Sequence, residues 1–210
     1  MTFKNNCCLF GWVILLTLIE AKASTFFEPK GLCASVLLTV DPQEIAFGED
    51  NAPITVIEYT ALSCNHCAHF HTSVLPEIRK KYIDTGKIRF VFRHFPIDQY
   101  SLKAAAILTQ VPLPKRVAAI DQIFAEQQNW LGPNAIKKLA AICKLPVNKC
   151  QKIADDQTLL NQMLQHRLEI EKVAQIEGTP TFFINGKMYP MTLTLTQFEE
   201  IMTQEEKSSP

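Results

Sequence analysis

The chain has 210 residues, of which 47% are hydrophobic and 20% are charged, and its formal net charge at pH 7 is zero. This is the composition of a globular protein with one main core and room for an inserted subdomain. Because the sequence contains no long basic or acidic run, binding to nucleic acid or to an anionic membrane surface is not indicated.

An uncharged apolar segment near the N-terminus predicts export. It spans Cys7–Ile19 and is followed by an Ala-x-Ala pattern that ends at Ala23, which is typical of a secretory cleavage site. We therefore expect residues 1–23 to be a cleaved signal peptide. An uncleaved membrane anchor is the alternative, although the apolar run is short for a span. Five cysteines remain after cleavage, so at least one thiol stays free or pairs between chains.

The first half of the mature chain predicts a strand followed by a strand-helix-strand unit. The predicted elements are a strand at Ser35–Val40, a strand at Ile54–Tyr59, a helix over about 65–85 and a strand at Ile88–Arg93. The second of these strands is almost wholly apolar, so we expect it to be buried on both faces, with Glu58 as its one acidic residue. The helix should kink near Pro76 and end at Gly86.

The second half predicts a helical block followed by a hairpin and a helix. From Asp98 to about Glu177 the apolar residues recur at helical spacing and prolines divide the segments, with no convincing strand. Thr181–Ile184 and Lys187–Tyr189 then predict two strands, because Asn185-Gly186 between them is a strong two-residue turn. An amphipathic helix closes the chain before a polar tail.

The stretch YTALSCNHCAHFHT carries the chemistry, since Cys64 and Cys67 stand three positions apart where the strand meets the helix. A helix N-terminus carries partial positive charge and unpaired N–H groups, so it stabilises a thiolate on Cys64. We expect Cys64 to be the exposed nucleophile with a depressed pKa. Cys67, one turn later, is expected to be more buried and to act as the resolving thiol. A charged His66 between them would stabilise the Cys64 thiolate further, which makes the disulfide a good oxidant.

Two more features point to thiol exchange. Glu58, six residues before Cys64 in an apolar strand, is expected to be buried and to take and return the proton of Cys67; a solvated acid is the alternative. Thr179-Pro180, at the start of the hairpin strand and packed beside the dithiol, could have a cis peptide bond, although most such bonds are trans. Thr179 would then offer its backbone N–H and C=O to an extended substrate chain.

Taken together, these motifs resemble the DsbA family of periplasmic thiol-disulfide oxidoreductases. The resemblance rests on the order of elements, the apolar strand with Glu58, Cys64-Asn65-His66-Cys67, RHFPID after the second strand and GTPTFFINGK near the end. It covers about residues 35–202. It departs from the best-known members at Asn65, where they have proline, and at Thr179, where the best-studied member has valine.

The resemblance implies an α/β chain with a thioredoxin fold and an inserted all-helical domain. The implied parts are a thioredoxin-fold domain at 35–97 and 173–203 and a helical domain at 98–172. The polar composition of residues 204–210 predicts a tail after them. The resemblance also implies that Pro180 is cis and faces Cys64. The implied activity is donation of a disulfide to exported proteins in the periplasm, with a membrane-bound partner that reoxidises the dithiol and with no cofactor.

Other functions are compatible with parts of this pattern. A disulfide isomerase or a reductase of the same fold is the nearest alternative, and Thr179 before the proline also occurs in isomerase-type relatives. A non-enzymatic surface protein or chaperone is the alternative of a different class, but it would not need the intact dithiol. A metal site is not expected, because His69 and His71 are two residues apart and point to nearly opposite sides of a helix.

The remaining cysteines suggest a second disulfide. Cys143 and Cys150 flank a Leu-Pro break between two predicted helices, and such a turn can bring two cysteines together. In an exported protein this spacing predicts a structural disulfide, whose loop of about eight residues is worth roughly 2.5 kcal/mol in the chain-entropy model. Two buried free thiols are the alternative. Cys33 is then the odd thiol, expected to be a small buried hydrophobic residue.

Overall fold

The computed structural model describes residues 40–41, 44–190 and 192–208, with side chains through residue 207. Three predictions lie outside these residues: the signal peptide at 1–23, the environment of Cys33, and the strand at Ser35–Val40 except for Val40 itself. Across the described residues, no helix combines the length and the apolar character that crossing a membrane requires.

Five strands form one mixed sheet in the order β1-β3-β2-β4-β5. They are β1 (Ile45–Phe47), β2 (Ile54–Thr60), β3 (Ile88–His94), β4 (Thr181–Ile184) and β5 (Lys187–Tyr189). Strands β2 and β3 are parallel, and every other pairing is antiparallel. The strand-helix-strand unit and the hairpin predicted from the sequence are therefore confirmed. Strand β1 has no predicted counterpart, because three residues are too few to show an alternating pattern.

The helices follow the predicted positions in both halves of the chain. They are α1 (Asn65–His69), α2 (Leu75–Ile78), α3 (Gln99–Leu108), α4 (Leu113–Ala125), α5 (Gln127–Trp130), α6 (Ala135–Ile142), α7 (Val147–Ala154), α8 (Gln157–Ala174) and α9 (Leu195–Ser208). Helices α3 to α8 lie between β3 and β4, where the sequence predicts a helical block. The assignment of residues 98–172 to a separate domain stays a prediction.

The helix after the dithiol is not a plain α-helix with a kink. Two π-helical turns, Phe70–Val74 and Arg79–Ile83, follow α1 and α2. In the first of them the Leu75 N–H donates to the Phe70 carbonyl, one residue further back than in an α-helix, just before Pro76, which has no N–H to donate. The helical segment ends before Gly86, which has a φ of 74° as a C-terminal glycine requires, so the predicted end is confirmed.

Apolar layers cover both faces of the sheet and position the site between them. One face packs against the helix that follows the dithiol and against α9, through residues that include Val56, Phe70, Phe90, Phe182 and Phe198. The opposite face packs against α8 through residues that include Tyr59, Val91, Ile170 and Phe183. A third cluster lies under the helical block and includes both cysteines of the dithiol. The dithiol therefore lies where the sheet meets the helical block.

The polar tail predicted at 204–210 is wrong for residues 204–208, because α9 extends to Ser208. Asn185 Nδ2 donates to Glu205 Oε2 at 2.9 Å, and Lys87 Nζ lies 2.9 Å from Glu206 Oε1. The composition predicted a tail because these residues are polar. A helix already nucleated by its buried first turns can nevertheless continue through polar residues, since each adds a backbone hydrogen bond.

Candidate active site

Cys64 is the N-cap of α1, directly after β2, as the sequence predicts. Its Sγ accepts a hydrogen bond from the Cys67 N–H at 3.4 Å and lies 3.3 Å from the Thr179 carbonyl oxygen. Cys64 keeps 8% of its surface exposed and Cys67 keeps none, so the predicted order of exposure is confirmed. The prediction of an openly exposed nucleophile is wrong, because the loop that holds Thr179 lies against the sulfur.

The surroundings of Cys64 favour its thiolate. Hydrogen bonding from the Cys67 side chain, and to a smaller extent from the Thr179 side chain and from backbone N–H groups of Cys67 and His66, lowers the pKa of Cys64 from 9.0 to about 5 despite burial. The part of His66 that contributes is its N–H at the start of the helix. The His66 imidazole is exposed, and its role in stabilising the thiolate stays a prediction.

Cys67 has the opposite character. Burial raises its pKa above the ordinary value, and the hydrogen bond to Cys64 and the negative charges of Glu58 and Cys64 raise it further. Its thiol is therefore protonated whenever Cys64 is reduced and ionised. The two sulfurs thus differ in acidity although they belong to one CxxC motif, which is the difference that a nucleophile and a resolving thiol require. These two roles stay predictions.

Glu58 is completely buried in β2, so the predicted burial of this acid is confirmed. Its Oε2 lies 2.7 Å from Nε2 of His71, which is also buried. The sequence placed His69 and His71 on nearly opposite sides of the helix, and this is confirmed, because His71 is buried and His69 is exposed. The partnership of His71 with Glu58 was missed, although the i,i+4 spacing of Cys67 and His71 places both on one helical face.

The Thr179-Pro180 peptide bond is cis, which confirms the expectation drawn from the family resemblance. Pro180 is buried, Thr179 is half-buried and Gly178 is exposed, so the loop presents an accessible edge next to the dithiol. The loop is tightened by Thr181 Oγ1, which donates to the Gly178 carbonyl at 2.8 Å. Binding of a substrate chain along this edge stays a prediction.

A glutamine that the sequence did not single out joins the helical block to the dithiol. Gln127 in α5 is buried, and its Nε2 donates to the carbonyl oxygens of Leu62 at 2.9 Å and Cys64 at 3.0 Å. These are buried hydrogen bonds between segments more than 60 residues apart, so they fix the loop that carries Cys64. A glutamine in a polar helical segment gives no signal of such a role.

Cys143 and Cys150 are buried in the same apolar cluster, and both are thiols in this structure, as are Cys64 and Cys67. Burial and the nearby charge of Cys150 raise the pKa of Cys143 to about 12. The two residues follow the predicted geometry, with Cys143 after the end of α6 and Cys150 within α7. Their pairing as a structural disulfide stays a prediction.

That pairing predicts a specific pattern in the oxidised, purified protein. Cys143 and Cys150 should resist alkylation in denaturant until a reductant is added, and peptide mass mapping should find them joined to each other. The reason is that two buried cysteines close enough to interact electrostatically would be oxidised in an exported chain. Alkylation of either residue without reduction, or a link from either one to Cys33, would contradict the assignment.

Comparison with known proteins agrees with this geometry. Residues 40–204 match the family model described as Thioredoxin. Over 164 residues the chain is 27% identical to a Rickettsia bellii protein provisionally named a protein-disulfide oxidoreductase; the match covers 76% of this chain and 63% of that protein, so the chain spans less than two thirds of it. It is 24% identical to disulfide bond formation protein D of Bacillus subtilis, over 76% of each chain.

A solved structure agrees as well. The crystal structure of Wolbachia pipientis alpha-DsbA1 superposes with a TM-score of 0.75 at 27% sequence identity, covering 84% of this chain and 97% of that one. The resemblance to the DsbA family that the motifs suggest, and the thioredoxin fold with helices inserted between β3 and β4, are thereby confirmed. With the dithiol at the start of α1 and the cis-proline loop against it, the chain belongs to the thioredoxin family.

Proposed function

We propose that the protein is a thiol-disulfide oxidoreductase that donates a disulfide to exported proteins. The observation that carries this proposal is the geometry of the CxxC motif: Cys64 is the N-cap of α1 against the Thr179-Pro180 loop, and Cys67 is fully buried one turn later. The opposite shifts of the two thiol pKa values agree with it. The names of the relatives from Rickettsia and Bacillus and the fold of the Wolbachia protein support it. The intact dithiol argues against a non-enzymatic chaperone or surface protein, which would not need it.

The proposed cycle passes two electrons from substrate thiols to the protein. A substrate thiolate attacks Cys64 of the Cys64–Cys67 disulfide; the bond between the two cysteines breaks, and Cys67 leaves with the electron pair and takes up a proton. A second substrate thiolate attacks the substrate sulfur of the mixed disulfide, and Cys64 leaves as a thiolate. The substrate gains a disulfide, and both cysteines of the protein end reduced.

The direction of the reaction follows from the state that the site stabilises. Hydrogen bonds and backbone N–H groups stabilise the thiolate of Cys64, which exists only in the reduced protein. Whatever stabilises the reduced form raises the reduction potential of the couple, so the disulfide form becomes a stronger oxidant. An exported oxidant in the periplasm then requires a partner that reoxidises the dithiol, and a membrane-bound oxidase fits this requirement.

Substrate binding in this proposal uses the cis-proline loop. Thr179 lies beside Cys64, and an extended peptide can pair with its backbone while a cysteine of the peptide reaches the sulfur. Such main-chain pairing does not depend on the identity of the peptide side chains. The substrates would therefore be many unfolded exported chains that carry free thiols.

Equilibration against glutathione buffers tests the proposal. The variant Cys143→Ser/Cys150→Ser isolates the Cys64–Cys67 couple, and the fraction oxidised gives its potential. We expect a value well above the roughly −270 mV of thioredoxin. A value at or below that figure would make the protein a reductant. A high value together with efficient reshuffling of a scrambled multi-disulfide substrate would favour an isomerase, the alternative that Thr179 suggests.

A further inference from the structure

Cys67 is a poor leaving group, so breaking the Cys64–Cys67 disulfide requires a proton donor that the two cysteines do not supply themselves. A thiol with a raised pKa leaves a disulfide slowly as the bare thiolate, and burial makes that thiolate costlier still. A proton donor at Cys67 would remove the cost. Glu58 was predicted to have this role, but a buried carboxyl with two equivalent oxygens needs something to orient it and to stabilise it after the proton has left.

We infer that His71 is the positioning residue for this proton transfer: it holds Oε2 of Glu58 by hydrogen bonding and leaves Oε1 to exchange a proton with Cys67. The inference deepens the proposed function and rests on it. His71 itself does not touch the reacting sulfur. It acts through Glu58, from the π-helical turn Phe70–Val74 that follows the dithiol helix.

The hydrogen bonds support different roles for the two carboxyl oxygens of Glu58. Glu58 Oε2 and His71 Nε2 are 2.7 Å apart in a fully buried setting. Among the described residues, Glu58 Oε1 and His71 Nδ1 have no hydrogen-bond partner although both atoms are buried. Unpaired buried oxygens are costly and tend to mark functional sites. Oε1 is thus the carboxyl oxygen still available for a proton, and the charge of Glu58 already acts on Cys67.

The imidazole is held by rings that leave it little freedom to turn. Phe124 of α4 stacks on it with a centroid distance of 4.1 Å and an interplanar angle of 26°. Phe70 and Phe92 contact it edge-on, each at 5.8 Å between centroids. This packing directs Nε2 at the carboxyl group. It also excludes water, which strengthens the hydrogen bond between the two side chains.

The charged groups around the pair leave Cys67 as its proton partner. From the dithiol helix, Cys67 is the group on which the negative charge of Glu58 acts, together with the charge of Cys64. From β3, His94 contacts the Phe92 ring, and burial followed by the charge of Arg116 lowers the pKa of His94 to about 4, so it is neutral at pH 7. From α4, Asp121 is paired with Arg79 at the surface.

The proton balance of the step is simple. The step requires the form of the pair in which Oε1 of Glu58 carries the proton and the Nε2–H of His71 donates to Oε2. As the Cys64–Cys67 bond breaks, Cys67 takes the electron pair and the proton from Oε1. Glu58 is left as a carboxylate that still accepts the His71 hydrogen bond, and the negative charge has moved from sulfur to oxygen. Reoxidation runs the same transfer in reverse, with Glu58 taking the proton from Cys67.

Single-turnover kinetics test the inference. Oxidised protein is mixed with excess dithiothreitol between pH 5 and 9, and the rate of reduction is followed. General acid–base catalysis typically contributes roughly 100-fold or more, so Glu58→Gln should slow the reaction by about that factor and flatten its pH profile. His71→Leu should slow the reaction by about tenfold and change the pH dependence of its rate in the same direction as Glu58→Gln does. His71→Gln, whose amide can donate to Oε2, should recover most of the wild-type rate.

Comparison of single and double variants separates positioning from packing. In Glu58→Gln, adding His71→Leu should change the rate by less than about twofold, because residues in one interacting pair are not additive. Exposed His69, two residues away, supplies the matched control: His69→Gln should behave as wild type. The alkylation rate of Cys64 should be unchanged in His71→Gln, which shows that the dithiol helix is intact.

Two results would overturn the inference. One is that His71→Leu slows the Glu58→Gln variant by the same factor as it slows the wild type. The other is that both His71 variants keep the wild-type pH profile. Neither result depends on the potential of the couple. If the glutathione equilibrium instead shows a reductant, the proposed direction of the reaction fails while the role of His71 in moving the proton of Cys67 is still decided by these rates.

Discussion

Reduced Cys64 should be alkylated with a pH midpoint near 5, and at pH 5 it should react roughly 100 times faster than an ordinary cysteine of the same exposure. About half of Cys64 is ionised at that pH, against roughly one part in 10⁴ of a thiol whose pKa is 9. A thiolate of lower pKa is intrinsically less nucleophilic, which reduces the expected ratio of the two rates from roughly 10⁴ to roughly 100. The measurement is the rate of reaction with iodoacetamide against pH on the reduced protein.

The midpoint is a stricter test than the rate itself. Burial of Cys64, which is 8% exposed, slows the reagent at every pH by the same factor and leaves the midpoint unchanged. The matched control is the same protein unfolded in urea, where the hydrogen bonds to Cys64 are absent. A folded midpoint that coincides with the unfolded one, near 8.5 to 9, would remove the basis for Cys64 as the nucleophile.

The chemistry of the site was largely predictable because its key residues stand next to unmistakable local signals. A buried strand, a helix start and the CxxC spacing identify Cys64 and Cys67, and a single acid in an apolar strand identifies Glu58. Thr179-Pro180 was placed by its position before a clear hairpin and by the family resemblance. Periodicity and turn residues likewise predicted four of the five strands, because each of those strands is flanked by residues that favour turns.

The unpredicted features depend on packing between distant segments. His71 pairs with Glu58, which is 13 residues away, and Gln127 donates to the carbonyl of Cys64, which is 63 residues away. No local sequence pattern indicates either contact. The cover over Cys64 has the same origin, since it comes from a loop 115 residues away. Patterns within one element predict which face is buried. They do not state which polar group on a buried face will meet which partner.

Ionisation of Cys64 should also make the reduced protein more stable at neutral pH than at acid pH. The folded-state pKa of about 5 lies below the ordinary value of 9, so this contribution is fully present above pH 9 and is lost as the pH falls through 5. At pH 7 it amounts to two pKa units, roughly 3 kcal/mol. The raised pKa of Cys67 adds nothing here, because that thiol is protonated in both folded and unfolded states below pH 9.

Urea unfolding of reduced wild type and reduced Cys64→Ser isolates this contribution. Carboxylates titrate in both proteins, so the quantity to compare is the stability lost between pH 7 and pH 4, which should be roughly 3 kcal/mol larger for the wild type. Equal losses would show that the thiolate is not stabilised by the fold. The oxidised protein has no thiolate and gains nothing from it, so roughly 3 kcal/mol corresponds to about 60 mV of oxidising power for a two-electron couple. The same hydrogen bonds that lower the pKa of Cys64 therefore raise the reduction potential of the Cys64–Cys67 couple.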